Sequence, residues 1–114
     1  MPIEKQNLTY LWDMREAARE ITEFMKGISH AKFEKNKQLR YAIERQLTVI
    51  GEAANHISGE FQESHADIPW AQIIGQRNVL AHDYGTIMTD RVWHAATVSV
   101  PELLKALEKL LPDD

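Results

Sequence analysis

Residues 37–58 read KQLRYAIERQLTVIGEAANHIS. Ile43, Leu47, Ile50, Ala54 and Ile57 recur there at steps of three and four, the spacing that places side chains on one stripe of a helix. The seam keeps a heptad-like step, which suits packing against nearly antiparallel neighbours. Gly51, Ala53 and Ala54 are small, so another helix can approach closely at that level. Asn36 is a candidate N-cap and Gly59 a candidate stop.

Helical spacing continues on both sides. Over residues 8–26, Leu8, Leu11, Trp12, Ile21, Phe24 and Met25 form an apolar stripe, with Asn7 as candidate N-cap and Gly27 as candidate C′ residue. Between these helices, ISHAKFEKN reads as a link in which Phe33 anchors a single turn. EFQESHADIP, after Gly59, reads as a linker. A third helix is expected from Trp70 to His82 or Tyr84, capped by Asp67, with Pro69 where the first turn tolerates it. Gly85 ends it. Thr89 is a candidate N-cap for a fourth helix, roughly Asp90 to Leu111, with Val92, Trp93, Ala96, Val100, Leu103, Leu104, Leu107 and Leu110 on its apolar face. Pro101 in mid-pattern should kink or split it. No stretch alternates with the period of a strand. The expected fold is one all-α domain over 1–114, an antiparallel bundle of four to five helices.

The chain is 114 residues long with a formal net charge of −4. Its bulk charge does not attract nucleic acid, so any RNA contact needs a local basic patch. The absence of cysteine excludes disulfides, thiolate metal sites and a cysteine nucleophile. The N-terminus has no basic stretch followed by an apolar one, the pattern of a secretory signal, and no apolar run approaches the roughly 20 residues of a membrane span. These features predict a cytoplasmic protein with no membrane contact.

Residues 77–85, RNVLAHDYG, gather chemically able groups around an apolar step. Arg77 and His82 are five apart, about 140° around an ideal helix. They converge only if the helix ends or distorts near His82, or if each works with a partner on a second copy of the chain. Histidine, with an ordinary pKa of about 6.5, exchanges protons at neutral pH. Arginine holds phosphate oxygens bidentately and stabilises charge that builds in a transition state. Together they suffice for metal-independent cleavage of RNA, in which the 2′-hydroxyl is the nucleophile. Asn78 can position a phosphate or the imidazole, and Tyr84 can hydrogen-bond a phosphate or meet a base. The plainer alternative is a helix C-terminus whose charges complement the dipole.

RNVLAHDY resembles the R-x4-H-x-Y signature of the HEPN superfamily, in its HepT-like branch. VIGEAANHIS is similar to that family's Ile-Gly-Glu-Ala segment, DIPWAQIIGQRN to its Pro-Trp entry into the signature helix, and DRVWHA to the start of its last helix. These words run in consistent order from about Leu8 to Leu111. The resemblance implies a HEPN-like helical homodimer whose two signatures face each other across a cleft. It implies an endoribonuclease, the toxin of a type VII-like toxin–antitoxin pair. Arg77 and His82 would be its catalytic residues and Asn78 a supporting one. The implied partner is a minimal nucleotidyltransferase antitoxin that transfers AMP to Tyr84. The alternative function is a non-enzymatic helical partner of such a nucleotidyltransferase, with the same polar cluster as docking surface.

Glu52, on the small-residue face of the second helix, could tune Arg77 or His82, or simply be solvated. Arg40 and Arg45 could join Lys35 and Lys37 in a basic strip, although a solvated face is the more ordinary reading. Arg91 could reach a phosphate or sit in a surface ion pair. His30, His56, His65 and His94 lack metal-site spacing, so no metal is expected. No glycine-rich phosphate loop is present, so no nucleotide cofactor is expected either. Trp12, Trp70 and Trp93 read as core or dimer-interface anchors.

Overall fold

The computed structural model describes residues 3–82 and 86–112, excluding the side chains of 77–88. Its elements are α1 (Lys5–Phe24), α2 (His30–Lys35), α3 (Lys37–Asn55), α4 (Gly59–Ser64), α5 (Trp70–His82), α6 (Thr86–His94), a π-helical turn (Ala95–Ser99) and α7 (Val100–Leu110). The described residues are all-helical and contain no strand. None of their helices is long and apolar enough to cross a membrane.

The predicted seam forms the centre of the core. Ile43, Leu47, Ile50, Ala54 and Ile57 are all buried, together with Leu11, Met14, Ala18 and Ile21 of α1 and Val100, Leu103 and Leu107 of α7. α1 packs against both α3 and α7. Polar contacts fix the directions. Asn7 meets Ser58, and Gln46 donates to Glu20 at 2.6 Å, so α1 and α3 run antiparallel. The guanidinium of Arg15 donates to the Pro112 carbonyl at 3.0 Å and Arg19 lies 3.9 Å from Glu108, so α1 and α7 are antiparallel too.

Several local expectations hold. Asn36 caps α3, its side chain accepting from the Leu39 N–H at 3.0 Å. Gly27 has φ +71 in the turn after α1, a conformation that costs a residue with a Cβ. Phe33 is completely buried by the short helix α2.

Others are corrected. Asn7 is not the cap of α1, which begins at Lys5. Its side chain is buried and makes a reciprocal pair with Ser58, donating to the hydroxyl and accepting from the backbone N–H, both at 3.1 Å. Gly59 does not stop α3, which ends at Asn55. Ser58 instead caps α4, accepting from the Phe61 N–H, so part of the expected linker is helical. Thr89 is no N-cap, because α6 has already begun at Thr86. Asn7→Ala removes both hydrogen bonds to Ser58 and should cost about 1–3 kcal/mol, from roughly 0.5–1.5 kcal/mol net per bond, read as a lowered midpoint in urea.

Pro101 acts as expected, one step upstream. A proline has no N–H, and its ring clashes with the carbonyl four residues earlier. The chain widens into a π-helical turn just before it, where the Val100 N–H reaches back five residues to Ala95. Thr97 Oγ1 donates to the Trp93 carbonyl at 2.7 Å within this stretch.

Candidate active site

The RNVLAHDYG stretch begins within one helix and is followed by a second, and the two are anchored from different sides. The first is α5. The Pro69 carbonyl accepts from the Ile73 N–H at 3.0 Å, so Pro69 takes the capping position expected of Asp67. Ile68 and Trp70 are buried, and the Trp70 indole N–H donates to the His65 carbonyl at 3.0 Å. One turn on, half-buried Ile73 and Ile74 pack against the core. α5 lies on α3, whose Gly51, Ala53 and Ala54 are buried as the small-residue pattern suggested.

The backbone positions of Arg77 and Asn78 fall in the C-terminal half of α5, and His82 is its last residue. α5 is described as far as His82, and the expected helix end at Gly85 falls on residues 83–85, outside the described residues. The side chains of Arg77, Asn78 and His82 lie outside the described residues, as does Tyr84 altogether. Glu52 is exposed on α3 beside buried Gly51.

The second anchor is α6, which starts at Thr86. Val92 is buried, and Trp93 lies half-buried against α2. The Trp93 ring is 5.3 Å from that of Phe33 and 5.0 Å, edge-on, from the imidazole of His30. His30 also bridges two carboxylates, Glu34 at 3.1 Å and Asp90 at 3.6 Å. These contacts tie α2 to the second turn of α6. His30, singled out in the sequence only as a poor metal ligand, is thereby a positioning group for α6. Its carboxylate partner is 60 residues away in the chain, so no local spacing reveals it.

Three of the other titratable candidates have structural occupations. His56 stacks on Tyr10 at 4.9 Å and His65 on Phe61 at 4.1 Å. Arg40 donates to the Phe33 and Glu34 carbonyls, satisfying the last turn of α2. It also lies beside Glu44, whose carboxyl burial pushes above its ordinary range while the Arg40 charge pulls it down. Among the described residues no three His, Asp or Glu side chains are grouped to hold a metal ion. Trp70 is a core anchor, whereas Trp12 is exposed.

The model of the family described as ribonuclease HepT-like matches residues 14–110. Among similar proteins is one named "Putative RNase MJ1380" from Methanocaldococcus jannaschii, 37% identical over 87% of this chain and 91% of the relative. "Putative RNase TTE0752" from Caldanaerobacter subterraneus is 34% identical over 90% of this chain and 91% of its own. "Probable ribonuclease HepT" from Thermococcus cleftensis is 32% identical over 95% and 98%. No solved structure matches. The matched span takes in α3, the whole RNVLAHDYG stretch and the π-helical turn, and on that ground the chain belongs to the HepT-like ribonuclease family.

Proposed function

We propose that this chain is a metal-independent endoribonuclease, the toxin of a type VII-like pair with a minimal nucleotidyltransferase antitoxin. The observation that carries the reading is the match of residues 14–110 to a ribonuclease family, with the backbone of Arg77, Asn78 and His82 lying in α5. Arg77 and His82 occupy helix positions about 140° apart in an ideal helix. A homodimer that brings two such helices together supplies both groups to one cleft.

The chemistry needs only proton movement and charge neutralisation. The RNA 2′-hydroxyl attacks the adjacent phosphorus while a histidine accepts its proton. The 5′-oxygen leaves with a proton from a histidine acid. Arg77 neutralises the extra negative charge on the phosphoryl oxygens. The products are a 2′,3′-cyclic phosphate and a 5′-hydroxyl. Asn78 orients the phosphate or the imidazole, and Glu52 tunes the pair. AMP on Tyr84, two residues past His82, places bulky negative charge beside the phosphate-binding arginine and blocks RNA.

The test is to incubate purified protein, with Tyr84 first checked by mass for an added AMP, with RNA in EDTA. Cutting that leaves 2′,3′-cyclic ends is expected. If the unmodified protein does not cut, the enzyme reading falls and a helical partner of the nucleotidyltransferase remains. A strict requirement for added divalent metal would likewise overturn the mechanism.

A further inference from the structure

The chain's positive charge is concentrated at one corner. Residues 26–45 hold six Lys or Arg and two Glu, a net +4 in a chain of net −4. Both glutamates of this segment are occupied elsewhere, Glu34 by His30 and Glu44 beside the buried-facing Arg40. Arg40 itself is turned inward onto α2. That leaves Lys32, Lys35, Lys37 and Arg45 exposed at the α2–α3 corner, with no carboxylate partner among the described residues. Lys37, Tyr41 and Arg45 follow one another at steps of four, so they form a single stripe about 12 Å long on the outer face of α3. The Tyr41 ring is 57% exposed, and the Lys37 ammonium lies 5.8 Å from its centroid. An exposed ring beside cations offers a face on which a nucleic-acid base can stack. α2 is also the helix that docks on α6 through Phe33 and Trp93. The corner is therefore joined directly to the element that follows the RNVLAHDYG stretch.

We propose that this corner is a second RNA-contacting surface, in which Lys35, Lys37 and Arg45 hold the phosphates of a single strand and Tyr41 stacks on one of its bases. The proposal rests on the ribonuclease reading for its substrate, and it answers the question of how an acidic protein recruits a polyanion. The surface raises affinity and leaves the bond-breaking groups unchanged.

The test separates binding from cutting. A fluorescent 2′-O-methyl RNA oligonucleotide, whose blocked 2′-oxygen prevents cleavage, is titrated with the dimer at several salt concentrations. The triple variant Lys35→Gln, Lys37→Gln, Arg45→Gln should bind at least tenfold more weakly. Its log–log salt slope should fall by about 2, from roughly 0.7 per lost phosphate contact. Tyr41→Ala should weaken binding with the slope unchanged, because stacking releases no counterion. The control Lys5→Gln, Lys105→Gln, Lys109→Gln removes the same charge from other exposed positions and should stay within twofold of wild type. Equal loss in both triples would reduce the effect to net charge and overturn the proposal. So would unaltered binding by the corner variant, or displacement of the oligonucleotide by polyglutamate with Tyr41→Ala silent, which would mark an acidic protein as the occupant. Oligonucleotide binding at the corner without cleavage of ordinary RNA would sink the nuclease reading and leave the surface standing. Cleavage with normal KM by the corner variant would do the reverse.

Discussion

His82→Ala should keep the helical fold and lower the rate of RNA cleavage by about 10²–10⁴-fold, the range that a positioned proton-transfer group contributes. The His82 backbone is helical in α5, and helical hydrogen bonds run through the backbone, which truncating the side chain leaves intact. Alanine is moreover the best helix former. Circular dichroism should therefore be unchanged while single-turnover cleavage at saturating RNA collapses. The loss should appear in the rate constant and leave binding of the 2′-O-methyl oligonucleotide near the wild-type value, because the imidazole moves protons and the arginines and lysines hold the strand. Arg77→Ala should differ in kind, weakening both rate and binding, since a guanidinium contacts phosphate in ground and transition states alike. Full activity in His82→Ala would remove catalysis from this motif altogether.

The second large effect concerns stability. Phe33→Ala should destabilise the protein by about 3–5 kcal/mol, a large part of the roughly 5–15 kcal/mol that holds a domain of this kind together. Phe33 has no exposed surface. It is the only buried residue of α2, and its ring packs against Trp93 at 5.3 Å with the planes tilted by 55°. No other buried side chain of α2 can refill the space, because the helix is six residues long. The thermal midpoint should drop by roughly 10 °C or more. Because the same contact seats α6 behind the RNVLAHDYG stretch, cleavage measured well below the midpoint should fall as well. A loss under about 1 kcal/mol would mean that α2 is a surface appendage rather than the clamp on α6.

The sites of these two effects differ in how openly the sequence displays them. The helical bundle was readable from periodicity because burial of an apolar stripe is the main determinant of such a fold and repeats every turn. Ile43, Leu47, Ile50, Ala54 and Ile57 satisfy it, and all are buried. Asn36 and Gly27 were readable because a cap and a positive φ are decided within three or four residues. Arg77, Asn78, His82 and Tyr84 were singled out by spacing and by a family signature. The structure adds that the backbone of Arg77, Asn78 and His82 lies in α5, and that α6 takes in Thr86–His94.

What local reading missed has a common cause. Asn7 has the chemistry of a cap, yet its partner is Ser58, 51 residues away. Arg40 has the chemistry of a surface cation, yet the end of α2 draws it inward. His30 finds Asp90 only because α2 and α6 are neighbours. The sequence by itself determined the long helices and the core seam of α3, since periodic burial and capping act over a turn or two of chain. The tertiary structure alone decided which polar groups meet and which cations stay exposed. Each depends on a partner brought near by packing, and no spacing along the chain encodes that distance.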